Sequence, residues 1–196
     1  MTPAETEALK DLCARLKALA GDARHGLPHE VFLLVSQLTP MVNVDLLLRN
    51  DAGQSLLTWR ADEFYGPGWH IPGGIVRFKE SFADRIQEVA RIELGCSVSF
   101  NPTPIAMNEV TAAHRDVRGH FVSLLFECRL SSPLAEALKF SAGMPKNGQW
   151  QWHDHCPDNL IRVHEMYRPH IGHGATSPCP AEVPPKQPKH PERAPS

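Results

Sequence analysis

The sequence predicts an α/β fold: a sheet packed with helices, preceded by a helical extension and followed by a proline-rich tail. Three observations carry this. Short apolar runs separated by turn residues fill 41–71 and 96–130, an amphipathic helical pattern interrupts them at 81–94, and leucines at helical spacing precede them. The chain therefore divides into an N-terminal helical extension (1–38), a main domain (39–172) and a tail (173–196).

The first helix is signalled by Thr2 as N-cap, Pro3 at the first helical position and Glu5 completing a capping box. Leu9, Leu12, Leu16 and Leu19 form its stripe, suited to a core or to a partner chain, and Gly21 ends it. Residues 31–38 suit a helix or a strand; the start signals Pro28 and Glu30 favour a helix. Residues 41–49 read as a buried strand, 50–53 as a turn and 54–60 as the returning arm of a hairpin. A loop through Gly66, Pro67 and Gly68 leads to a short strand, 69–71, and then to Gly73-Gly74. Phe82, Ile86, Val89 and Ala90 mark one face of the next helix, which Gly95 stops. Strands are expected at 96–100, 105–110 and 121–130, with a polar, mobile loop at 111–119. A short helix from Ser132, a strand at 149–153 and a helix at 158–167 complete the domain. Seven prolines crowd the segment beyond 173, which cannot bury enough apolar surface to offset its ordering entropy and is expected to be disordered.

Composition narrows the function. An apolar fraction of 42% and a net charge of −2 are ordinary for a soluble domain and give no basic excess for nucleic acid. Five scattered cysteines without a C-x-x-C pair fit a reducing cytoplasm better than a disulfide framework or a zinc site. No run of about 18 apolar residues is present, so no membrane span is expected.

The chemistry concentrates around Gly73-Gly74. Glycines at a strand-to-helix turn permit close backbone approach, and the helix that follows carries Glu80, Glu88 and Glu93. A glycine-turn carbonyl and one helical carboxylate make a minimal, open site for magnesium, a hard ion that keeps waters and substrate phosphates in its shell. Glu109, His114 and His120 are candidate bases, His120 the best placed at the head of an apolar strand. His153 and His155 share one strand face but lack a third ligand. Trp69 and Tyr65, near the glycine turn, are the aromatics expected to touch a ligand.

The run PGGIVRFKESFADRIQEVARIELG, residues 72–95, resembles the signature of the Nudix hydrolases: G, five residues, E, seven residues, R-E-U-x-E-E-x-G-U, where U is bulky and apolar. Gly74, Glu80, Glu93 and Gly95 match it without insertion or deletion. Glu88 stands where the arginine belongs, and Val89 and Ile92 where two glutamates belong. Arg85 or Arg91 is left to partner Glu80. Within the family, TPMVNVDLLLRNDAGQSLLTWR, GWHIPGG and ELG are similar to segments of the GDP-mannose mannosyl hydrolases.

The resemblance implies an α/β/α sandwich around a mixed sheet and hydrolysis of a nucleoside diphosphate linked to another group, a sugar above all. It implies magnesium, or manganese, held by Glu93 and the Gly73 carbonyl; Glu88, one helical position (about 100°) from the first missing glutamate, is either a further ligand or a surface residue. It places Arg60 on the leaving diphosphate, Glu80 and a base such as Glu109 or His120 in the catalytic set, and Gly74 and Trp69 against the ligand. A small nucleotide-type substrate and a homodimer are the expected partners. The arginine that follows Gly-Gly in those enzymes is Ile75 here, and their Gln-His pair is not matched in 145–149. The missing glutamates leave a second possibility, a module that binds such a ligand without turnover.

Overall fold

The computed structural model describes residues 1–172, so the proline-rich segment expected to be disordered lies outside the described residues. Helix α1 (Pro3–Ala20) begins with the expected capping box, Thr2 and Glu5 exchanging hydrogen bonds between side chain and backbone. None of its residues is buried, and Leu9, Leu12 and Leu19 are exposed. Helix α2 (His29–Leu38) settles the ambiguous segment as helix.

Eight strands follow: β1 (Met41–Leu48), β2 (Ser55–Arg60), β3 (Gly68–His70), β4 (Gly73–Ile75), β5 (Val98–Phe100), β6 (Ala106–Thr111), β7 (His120–Leu130) and β8 (Trp150–His153). They form two sheets. The larger is mixed, in the order β4-β1-β7-β5 with β6 also on β7; the smaller is antiparallel, β3-β2-β8. The expected α/β class with a mixed sheet is what the chain adopts.

The expected hairpin between β1 and β2 is not formed. The chain turns at 50–53 as its residues dictate, but only Arg49 and Ser55 bridge before the strands part into different sheets. β1 instead runs parallel to β7 along its whole length and antiparallel to β4. The physical reason is burial: from Val44 to Leu48 every residue of β1 is inaccessible, so both of its faces need apolar cover. Val44, Leu46 and Leu48 face one cluster with Leu56, Ile86, Val89, Ala90 and Phe126. Leu47 faces the other with Leu57, Trp69, Ile71, Leu125 and Tyr167. Splitting β1 from β2 lets the sheets bury these faces against each other, and burial of this kind dominates folding.

The helix expected at 81–94 is regular only over α3 (Phe82–Val89) and closes in a wider π turn, Ala90–Leu94, before Gly95 in the left-handed conformation at φ +64°. The short helix expected from Ser132 appears as one 3-10 turn, Glu136–Leu138, and the last helix as a 3-10 helix, Arg162–His170. Gly73-Gly74, expected as a turn alone, pairs with β1 as β4.

Glu80, expected in the catalytic set, is a fastener instead. Both of its oxygens accept from the Arg85 guanidinium at 2.7 and 2.8 Å, and one also accepts from the Arg77 backbone N–H. This pair ties the segment after β4 to α3 and is nearly inaccessible, whereas the Glu88–Arg91 pair lies on the surface. Removing one member of a buried pair strands the other charge. Arg85→Ala is therefore expected to cost about 3–5 kcal/mol in urea unfolding, and Arg91→Ala to leave the midpoint unchanged. Equal effects would contradict this division.

Candidate active site

A cavity of about 550 Å³ opens where both sheets meet the 111–119 loop and the loop after β2. Its lining includes His70, Gly73, Gly74 and Glu93, and also Arg60, Tyr65, Arg115 and Arg118.

The glycine wall is set by the ladder between β1 and β4. Leu46 N–H donates to the Pro72 carbonyl and Val76 N–H to the Val42 carbonyl. Antiparallel ladders alternate, so the pair Asp45–Gly73 between them exchanges no hydrogen bonds. The N–H and carbonyl of Gly73 therefore both face away from β1, and the N–H is taken by the Glu93 carboxylate. A Cβ on Gly73 would collide with the Asp45 carboxylate, and one on Gly74 would meet Val89 at 2.8 Å. Both positions need glycine for packing.

Glu93 sits in the π turn, with Leu94 buried behind it. Its side chain keeps 29% exposure, all other sides being protein. Burial pushes its carboxyl up to about 7, opposed by the charge of Arg60. Its Oε2 lies 4.0 Å from His70 Nε2. Burial, reinforced by His164, holds His70 down to about 3, so the ring is neutral at pH 7. His70 Nδ1 lies 2.8 Å from the Thr58 carbonyl, which can only accept, so the proton is on Nδ1 and Nε2 is bare. The Thr58 hydroxyl stands 3.3 Å from both ring nitrogens and so lies along neither lone pair.

Behind this wall Asp45 is 1% exposed. Asn43 donates to its Oδ1 at 2.8 Å, while Ser123 and Tyr167 donate to Oδ2. Tyr167 Oη is also 2.8 Å from Ser123 Oγ, so three oxygens contact one another in a ring. Two hydroxyl protons cannot fill three contacts; with a proton on Asp45 the ring closes head to tail, Asp45 donating to Ser123, Ser123 to Tyr167 and Tyr167 to Asp45. Burial foremost pushes Asp45 up to about 6. His164 accepts from Ile71 N–H on Nδ1 and so presents Nε2–H 4.0 Å from Asp45, its ring held neutral by burial at about 3.

Among the described residues no three His, Cys, Asp or Glu side chains converge on one point. The oxygen and nitrogen donors that adjoin are the Glu93 carboxylate, the outward Gly73 carbonyl and His70 Nε2. Such a set leaves room for the waters and phosphate oxygens that a hard divalent ion retains.

Gly73, Gly74, Glu93 and Arg60 thus share the cavity. Other expected residues do not. Glu88 lies outside the lining and is held by Arg91 through two 2.8 Å hydrogen bonds, because its helical position turns it off the Glu93 face. Ile92, where a signature glutamate is absent, does line the cavity. Trp69, expected on the ligand, is 5% exposed and packs edge-on against Trp59, Phe140 and His153. Glu109 and His120 pair with each other at 3.0 Å, but on the opposite face of their sheet. Val110 and Phe121, which alternate with them, line the cavity. The groups that sequence reading missed are Asp45, His70, His164, Arg115 and Arg118. A charged Asp45 inside an apolar strand was the available signal for the first.

No family model matches this chain. The low-salt glycan biosynthesis protein Agl8 of Haloferax volcanii is 31% identical over 108 residues, covering 53% of this chain and 68% of that protein. Similar solved structures include a MutT NUDIX hydrolase from Burkholderia pseudomallei, with 20% identity, a TM-score of 0.48 and coverage of 65% of this chain and 95% of that one. A UDP-X diphosphatase matches with 19% identity, a TM-score of 0.47 and coverage of 85% and 82%. The MutT protein of Methanosarcina mazei matches at 18% identity, a TM-score of 0.45 and coverage of 59% and 78%.

Asp45 makes stability depend on pH. Its folded-state carboxyl titrates at about 6 against an ordinary 3.8, so the folded state holds the extra proton between those values and loses stability as pH rises through them. Two units correspond to about 3 kcal/mol. Asp45→Asn is expected to stabilise the metal-free protein by up to about that amount at pH 8 and to have little effect below pH 4. Urea unfolding across this range would refute the reading if the difference did not change with pH.

Proposed function

The chain belongs to the family of the Haloferax volcanii protein Agl8, and from that premise we propose that it is a Nudix-type hydrolase of a nucleoside diphosphate linked to a sugar. The observation that carries the reading is the meeting of Glu93 with the outward backbone of Gly73 on the wall of a cavity that also holds Arg60. The description of the relative, glycan biosynthesis, suits a substrate that bears a sugar.

Magnesium or manganese fits this donor set, and when bound it would supply charge neutralisation for the departing diphosphate. Glu93, the Gly73 carbonyl and His70 Nε2 are the groups that would hold it. Arg60 shares the diphosphate charge through the fixed fork of its guanidinium. Asp62 holds the Arg60 Nε at 2.6 Å and the Tyr65 ring lies 4.7 Å beneath the guanidinium carbon, which orients the fork. Asp45 is a positioning residue: through Ser123 and Tyr167 it fixes the floor, and it excludes any side chain from Gly73. Glu109 and His120 stand on the other face of their sheet, so neither is assigned the proton of the attacking water.

With magnesium, purified protein is expected to release a nucleoside diphosphate or monophosphate from one or more members of a nucleotide-sugar panel, and chelation to stop it. Glu93→Gln should lower kcat by roughly 10²-fold or more with the melting temperature retained, the scale of losing one charge-stabilising group. Glu109→Gln and His120→Gln should each fall far short of the roughly 10²–10⁴-fold that loss of a general base costs. Metal-independent binding with no product from any nucleotide sugar would instead identify a binding module.

A further inference from the structure

The loop at 111–119 brings two more cations to the cavity, and nothing in the metal wall explains them. Arg115 and Arg118 line the same cavity as Arg60, and all three guanidiniums gather about one ring, that of Tyr65, at 4.5, 5.2 and 4.7 Å from its centroid. Tyr65 donates from its hydroxyl to the Arg118 carbonyl, so the ring is a scaffold for the arginines. Arg118 also lies over Phe64 at 4.6 Å and Phe32 at 5.5 Å, and its backbone adopts the left-handed region at φ +52° with its N–H on Ser36 of α2.

Two features distinguish this cluster from a structural one. Among the described residues neither Arg115 nor Arg118 has a carboxylate within ion-pair distance, while Asp62, the acid of this corner, is occupied by Arg60. In addition, Arg115 Nη1 and Arg118 Nε are buried and without a hydrogen-bond acceptor. Packed guanidiniums repel, and a buried donor left unmade costs free energy. An arrangement that accepts both costs is understood if an anion completes it.

We propose that Arg115 and Arg118, together with Arg60, form a diphosphate-binding site, resting on the reading of the cavity as a nucleotide site. The charge balance selects the ligand: three guanidiniums less one carboxylate leave two positive charges, which match a diphosphate rather than a single carboxylate. Arg118 touches phosphate while α2, through Ser36 and Phe32, holds the loop that carries it, so the N-terminal segment contributes to recognition.

Calorimetry in chelator with UDP, GDP, ADP, pyrophosphate and uridine tests this without any turnover. The intact protein is expected to bind at least one diphosphate, more tightly at low salt, and to bind the free nucleoside far less well. Arg115→Gln and Arg118→Gln should each weaken diphosphate binding by roughly 10–100-fold, the loss of a charge-assisted hydrogen bond, without lowering the melting temperature of the free protein. Arg118→Lys, which keeps charge but not the fork, should recover only part of the affinity. Preference for pyrophosphate over every nucleoside diphosphate would support the site while showing that the base adds nothing. The proposal is overturned if no diphosphate binds, or if both glutamine variants bind it as the intact protein does. If the arginine dependence holds while no nucleotide sugar is turned over, the site stands and the hydrolase reading falls.

Discussion

A carboxylate removed from water must find hydrogen-bond donors or a proton, and Asp45 meets that demand where four parts of the chain converge. Asn43 on its own strand, Ser123 on β7 and Tyr167 on the last 3-10 helix all donate to it. Its Oδ1 also occupies the space that any side chain on Gly73 would need. One buried group thus fixes the parallel pairing of β1 with β7, the docking of the C-terminal helix and the bareness of the glycine strand. A hydrophobic residue of similar size would fill the volume but could not hold the two hydroxyls or set the backbone of β4.

The cavity in front of that group has an uneven charge distribution. Glu93 and two neutral imidazoles line one part, and three guanidiniums gathered on Tyr65 line another. In a site partly shielded from water such charges act more strongly than on a surface. Negative oxygen on a ligand can then be drawn to the arginines, while the Glu93 side keeps donors for a cation. Burial raises the Glu93 carboxyl to about 7, so this wall gains its full negative charge only above neutrality or when a cation draws it out.

What was legible in the sequence follows from how rigidly each element ties spacing to geometry. That Gly73, Gly74 and Glu93 come together was legible because a strand, a helix and the turn between them leave little freedom over 21 positions. Arg60 was singled out only through the family resemblance, and it lines the same cavity. Glu109 and His120 were placed one residue out of phase: in a strand the choice of face depends on parity, and the polar loop beside them gave no parity signal. Trp69 was misplaced because its neighbours, Phe140 and His153, arrive from distant positions. Asp45 and His70 were hidden in segments read as strands, and His164 in one read as a helix. The arginines lay in a segment read as merely polar, since no periodicity governs a loop. The hairpin failed for a related reason: turn chemistry fixes a reversal of direction but not whether the two arms remain partners.

The two halves of the cavity are therefore held by different kinds of structure. Glu93 and Gly73 depend on a ladder, a helix and a packed core, so substitutions there propagate into folding. Arg115 and Arg118 project from the tip of the β6–β7 connection, which Ala112 N–H closes on the Gly119 carbonyl and which the Phe64 carbonyl, Tyr65 and Ser36 anchor. Over evolutionary time such a connection can be lengthened, shortened or recharged with little penalty to the scaffold. Descendants of this fold can diversify in what they recognise while inheriting an unchanged Glu93–Gly73 wall, and this loop is where kinship in sequence should fade first.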